Sequence, residues 1–275
     1  MRGRVLVVAG SDSGGGAGIQ ADIKAILAID AYAMTAITAL TAQDTTGVHA
    51  IHHVPPDFLR QQMACVLDDI GADAIKTGML GDPAIIDTVV ATLAAHAPGV
   101  PVVVDPVMVA KGGAVLLPAD AVAHLRRVLL PIATLLTPNL PEAEILCGMA
   151  IADEAAMHAA ARQLLSLGAP AVLVKGGHLA GDVVIDVLAT AHETEMFRSP
   201  RIASPHTHGT GCTLASAIAA GLAQQMKLRD AVARARAYVT AAIVSAPGYG
   251  HGHGPLNHGV TLDPARVAKL AQAGR

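Results

Sequence analysis

A glycine-rich turn runs straight into an apolar helix at Thr207-His208-Gly209-Thr210-Gly211-Cys212-Thr213. A helix start leaves backbone N–H groups unpaired and carries partial positive charge. Gly209 and Gly211 let the main chain turn tightly and approach a ligand, so Gly209, Thr210 and Gly211 form a candidate phosphate pocket. Cys212 lies in the first turn, where the same field is expected to favour its thiolate. An anion cradle and a nucleophile or base at one point is an arrangement for group transfer. Leu214, Ile218 and Leu222 then recur at i, i+4 and i+8, so one stripe of the helix is expected to face a core.

Other polar residues stand where apolar runs stop: Ser11 and Asp12, Gln43, Lys76 and Thr77, Asp105, Asn139 and Glu142, and Lys175. Ligands of open α/β sheets bind outside the carboxyl ends of the strands, so this shared position gathers them along one crevice. An Asp after a strand is, taken singly, as readily a helix cap. As a set they fit phosphoryl transfer, which needs positioning and charge neutralisation more than covalent chemistry. Asp105 and Glu142 are hard oxygen ligands for Mg2+, directly or through water. Lys175 is a cation able to follow the migrating phosphoryl group. No Walker-type phosphate loop occurs, and Gly14-Gly-Gly-Ala-Gly18 does not fit the dinucleotide pattern GxGxxG.

The elements that must position these residues alternate along the chain. Strands are expected at 5–9, 32–40, 48–54, 73–76, 100–104, 134–136 and 171–174, with an antiparallel pair at 182–188 and 193–197. Helices are expected between them, with Asp82-Pro83 as a cap-then-proline start. The rhythm predicts one α/β domain over residues 1–275, with a mostly parallel sheet covered on both faces. Cys65 and Cys147 are expected as packing residues within helices. Residues 248–275 read as a glycine- and histidine-rich loop with a short closing helix. The run from His251 to His258 reads as surface tail rather than metal site.

Composition bounds the rest. With 52% hydrophobic and 15% charged residues, the chain of 275 can bury a substantial core. A net charge of −3, no long basic run and no Trp argue against nucleic-acid binding. No apolar segment reaches the roughly 20 residues of a membrane helix. Three scattered cysteines without metal spacing fit a reducing, cytoplasmic setting.

Several stretches, in order, resemble the hydroxymethylpyrimidine/phosphomethylpyrimidine kinases of thiamine biosynthesis, within the ribokinase-like superfamily. They are Ala9-Gly-Ser-Asp-Ser-Gly-Gly-Gly-Ala-Gly-Ile-Gln-Ala-Asp-Ile-Lys24, Thr38-Ala-Leu-Thr-Ala-Gln43, Lys76-Thr-Gly-Met79, Asp105-Pro-Val-Met-Val-Ala-Lys111, Thr137-Pro-Asn-Leu-Pro-Glu-Ala-Glu144, Val174-Lys-Gly-Gly-His178 and the opening loop. The resemblance implies a three-layer α/β/α sandwich with eight or nine strands, little or no separate lid, and often a homodimer. It implies ATP and Mg2+, with two successive phosphorylations of a small pyrimidine. By position it implies Gln43 as reader of the pyrimidine, Gly10, Met79 and Val107 around the ring, and Asp22 near it. It assigns Asp105 and Glu142 to the metal, Lys175 to the phosphates and Cys212 to the reacting hydroxyl. A carboxamide offers a donor and an acceptor side by side, matching a 4-aminopyrimidine edge. Gly112 departs from the Ser of many relatives, and Cys212 from the Asp of many sugar kinases. Pyridoxal kinase of the same superfamily and a non-catalytic pyrimidine-binding regulator are the rival readings.

Overall fold

The computed structural model describes residues 1–110, 113–263 and 265. Lys111, Gly112 and most of the expected closing helix lie outside the described residues. Among the described residues, nine strands form one sheet: β1 (Arg4–Asp12), β2 (Tyr32–Gln43), β3 (Val48–His53), β4 (Ala74–Thr77), β5 (Val102–Val104), β6 (Leu135–Leu136), β7 (Ala171–Lys175), β8 (Val183–Thr190) and β9 (Thr194–Pro200). Their spatial order is β3-β2-β1-β4-β5-β6-β7-β8-β9. The pairings from β2 to β7 are parallel, while β3 at one edge and β8 and β9 at the other run antiparallel. From β1 the chain goes to one side for β2 and to the other for β4. Their carboxyl ends therefore open the crevice in which such folds bind ligands.

The helices are α1 (Gly18–Ala28), α2 (Pro56–Asp69), α3 (Pro83–His96), α4 (Ala119–Val128), α5 (Leu140–Cys147), α6 (Glu154–Ser166), α7 (Thr210–Ala223) and α8 (Leu228–Val244). Leu6 and Val8 join a core with α2 to α6, whereas Val5, Val7 and Ala9 join a second core with α1, α7 and α8. Alternate side chains of one strand thus enter opposite layers, and the strand must be apolar throughout.

Two expectations fail for reasons of packing. α7 has no single buried stripe: Thr213 to Gly221 and Ala223 are all buried, because the helix is wedged between the sheet, α1 and α8. A Cβ on Gly221 would come within 2.7 Å of Ala231 on α8. Leu222, expected in the core, is only half-buried. Cys65 is exposed, since Leu59, Met63 and Leu67 define the inner face of α2 and residue 65 falls opposite. Cys147 is buried as expected, its thiol 3.5 Å from the Ala160 carbonyl. β2 extends three residues beyond its expected end. Its register against β3 shifts between Ala42 and Gln43, a kink of the kind that re-aims a side chain.

Candidate active site

A cavity of about 960 Å3 lies over the carboxyl ends of β1, β4, β5 and β7. Gly10, Gln43, Met79, Val107, Asp105, Glu142, Lys175 and the loop from Gly209 to Cys212 all line it. Residues separated by up to 202 positions therefore share one wall. Val184, Ile202, Val239 and Ile243 are among its apolar lining residues.

The opening of α7 is built on contacts that demand glycine. Gly209 has φ +77, and a Cβ there would lie 1.8 Å from the Gly16 carbonyl oxygen. The turn before α7 thus rests on the β1–α1 loop. Gly209, the residue at the cap position, has no side chain to bond the first N–H groups. A Cβ on Gly211 would meet Lys175 Nζ at 3.3 Å and Asp105 Oδ2 at 3.7 Å, so the main chain passes close to that pair.

Two lysine–aspartate pairs sit beneath and beside this turn. Lys175 Nζ donates to Asp105 Oδ1 at 2.9 Å, and Thr137 donates to the same oxygen at 3.2 Å. Burial pulls the Lys175 ammonium down, but Asp105 and Glu142 hold it above its ordinary value. Glu142 closes a capping box with Asn139 at the start of α5. Burial, opposed by Lys175 and aided by the Asp105 charge, pushes the Glu142 carboxyl up to about 7. The second pair is Lys76 and Asp22: Lys76 Nζ lies 3.0 Å from both carboxylate oxygens, and Ser216 donates to one of them at 2.7 Å.

Asp22 corrects an expectation. It is fully buried on α1 and absent from the cavity wall. Its oxygens are spent on Lys76 and Ser216, so it stands behind the wall rather than on it. The Cys212 thiol corrects another. Burial pushes it up to about 11, against the pull of Lys76 and with Asp22 and Asp105 adding to the rise. Desolvation of the thiolate, with the charges of Asp22 and Asp105, outweighs the pull of Lys76. The histidine run is not a surface tail either. His253 reaches the cavity wall, and His258 is buried with Nε2 2.9 Å from Thr213 Oγ1. Burial and the nearby Lys24 push His258 down to about 4, so it is neutral at pH 7. Among the described residues, no group of three or more His, Cys, Asp or Glu side chains could hold a metal ion.

Sequence reasoning missed His208 as a site residue. Its Nε2 lies 2.9 Å from Asp12 Oδ2 and 3.4 Å from the Gln43 carboxamide nitrogen. Its neighbour Gly209 drew attention to the loop, but nothing local points to partners 196 and 165 positions away. Val239 and Ile243 were missed as well, because their apolar spacing on α8 reads as ordinary core.

The phosphomethylpyrimidine kinase family model matches residues 12–257. The chain is 53% identical over 96% of its length to the thiamine biosynthesis bifunctional protein ThiED of Geobacter sulfurreducens, of whose length it spans 54%. It is 48% identical to the hydroxymethylpyrimidine/phosphomethylpyrimidine kinase of Streptomyces coelicolor, covering 94% of this chain and 95% of that one. An ADP complex of Bacillus subtilis pyridoxal kinase superposes with a TM-score of 0.88 at 38% identity, covering 94% of this chain and 98% of the other.

Proposed function

The chain belongs to the phosphomethylpyrimidine kinase family, and on that premise we propose that it is a transferase of thiamine biosynthesis. It moves a phosphoryl group from ATP to 4-amino-5-hydroxymethyl-2-methylpyrimidine and a second one to the resulting monophosphate. The observation that carries this reading is the meeting of Gln43, Lys175 and Cys212 on one cavity wall.

Gln43 reads the amino and ring-nitrogen edge of the pyrimidine, with Gly10, Met79 and Val107 around the ring. The hydroxymethyl group faces Cys212; the thiolate, a minor form because burial pushes the thiol up to about 11, accepts its proton as the phosphoryl group arrives. The main chain at Gly209, Thr210 and Gly211 holds the terminal phosphate of the donor, and Lys175 neutralises the charge it develops. The apolar side chains of Val239 and Ile243 take the nucleobase. The two carboxylates Asp105 and Glu142 fit Mg2+ that arrives with a nucleotide. Such an ion keeps water and phosphate ligands and needs only one or two protein carboxylates. Burial first, and the neighbouring Asp105 charge after it, raise the Glu142 carboxyl, and a bound cation would oppose both. When bound, Mg2+ would neutralise phosphate charge and align the donor.

Residues 1–275 act as one kinase domain, read as cytoplasmic and homodimeric, a state measurable by sedimentation. No described helix is long and apolar enough to cross a membrane. Mass spectrometry of products from the hydroxymethylpyrimidine, ATP and Mg2+ tests the assignment: two added phosphoryl groups are expected, and none would overturn it. Likeness to a pyridoxal kinase supports a second reading, phosphorylation of pyridoxal in the same pocket. The same assay with pyridoxal decides between them.

A further inference from the structure

Two groups contact the Gln43 carboxamide, His208 and Thr41, and each is held in turn by a second group, Asp12 and the Ser11 carbonyl. Asp12 accepts from the backbone N–H groups of Gly14 at 2.8 Å, Gly16 at 3.1 Å and Ala17 at 2.8 Å. Burial raises its carboxyl, but His208 and these N–H groups hold it below its ordinary value, so it is ionised and only accepts. The His208 Nε2 at 2.9 Å must then carry a hydrogen. That N–H also faces the Gln43 amide nitrogen at 3.4 Å, which is donor against donor.

The other end has the converse fault. Thr41 Oγ1 lies 2.8 Å from the Ser11 carbonyl oxygen and 3.1 Å from Gln43 Oε1. A hydroxyl has one proton, and the Ser11 carbonyl, which only accepts, lies nearer. Gln43 Oε1 is left facing a lone pair. Turning the amide through 180° cures both faults together. Its oxygen then shares, at the longer distance of 3.4 Å, the His208 N–H that goes first to Asp12, and its NH2 donates to Thr41 Oγ1. Amide ends are assigned by such networks.

We propose that His208, held by Asp12, and Thr41, held by Ser11, are positioning residues that lock the Gln43 carboxamide oxygen toward His208 and its nitrogen toward Thr41. The lock leaves one N–H and one oxygen lone pair for a ligand, in a single order along the wall. The site therefore selects heterocycles with an amino donor beside a ring-nitrogen acceptor. It rejects the 4-oxo counterpart, whose edge carries the reverse order. A free amide would turn and take either. A site built on hydrogen bonds rejects a mismatched partner strongly because buried polar groups are left unpaired. The inference rests on the reading that Gln43 contacts the pyrimidine.

The test compares kcat/KM for the 4-amino hydroxymethylpyrimidine and its 4-oxo analogue in the wild type and in His208→Leu, His208→Gln, Thr41→Val and Gln43→Leu. The wild type is expected to prefer the amino compound by at least about 100-fold. His208→Leu should cut that preference about tenfold, through the KM of the amino compound, with kcat changed less than about threefold. His208→Gln, which restores a side-chain N–H, should recover it. Thr41→Val loosens the opposite end and should lower the preference even if His208→Leu does not fold. A preference unchanged in the folded His208 and Thr41 variants but lost in Gln43→Leu overturns the lock and leaves Gln43 as the reader. A preference unchanged in Gln43→Leu too overturns the reading of Gln43, and the lock with it.

Discussion

The two lysine–aspartate pairs have the same chemistry and opposite settings. Lys76 and Asp22 are sealed under α7 with both side chains 0% exposed, and Ser216, four residues past Cys212, supplies the extra hydrogen bond. Lys175 and Asp105 stand on the cavity wall at 13% and 3% exposure, beside a second carboxylate. Asp22 stands behind the cavity wall and Lys76, though without exposed surface, borders the cavity, so the pair's charges act on the fold and on the field at Cys212. A pair at the wall can trade partners when a polyphosphate arrives. Identical ion pairs are thus divided between scaffold and chemistry by what covers them.

Removing one partner of the sealed pair should give the largest effect. Lys76→Met strands the Asp22 charge in the core and is expected to cost about 3–5 kcal/mol in urea unfolding. Lys175→Met should cost less stability but lower kcat about 100- to 1000-fold, as loss of a group aimed at transition-state charge does. If the two variants exchange these signatures, the division between the pairs is wrong. Cys212→Ala comes next. The alcohol step should slow by about 100-fold and the monophosphate step by less than about threefold, because that acceptor is already an anion. Equal losses, measured with each acceptor separately, would remove Cys212 as the proton acceptor.

Glu142 sharpens the wall side of the contrast. Its carboxyl, at about 7, must lose its proton to hold a cation. Apparent Mg2+ affinity in the kinase assay should be about tenfold tighter at pH 8 than at pH 6, and Glu142→Gln should flatten the profile. His258 gives the smallest effect and belongs to the scaffold side. Its folded value near 4 lies below the unfolded value near 6.5. The unfolded chain therefore binds the proton first, and stability is lost as pH falls through that window. The loss is roughly 1 kcal/mol between pH 6.5 and 5.5, and His258→Gln should remove it from urea midpoints.

The fold was largely legible. The apolar run at 5–9 reads as a strand buried on both faces, and it is; the runs at 100–104 and 171–174 read as strands, of which the second is buried throughout and the first is shortened to Val102–Val104. Gly209 and Gly211 read as a tight turn, and the contacts with Gly16 and Lys175 explain why. The edge of each element was less legible. Residues 41–43 continue β2 because pairing with β1 and β3 overrides their local preference. Cys65 shows the limit of composition: a cysteine is usually buried, but its place on α2 turns it outward.

From sequence alone came the residue types, their order and their positions at strand ends, because apolar periodicity is local and survives without coordinates. Burial and distance needed the tertiary structure. It decided that Asp22 is sealed while Asp105 is not, that the Cys212 thiol is pushed up rather than down, and that His208 meets both Asp12 and Gln43. Each of these depends on desolvation and on contacts between residues tens to hundreds of positions apart, and no local pattern encodes them.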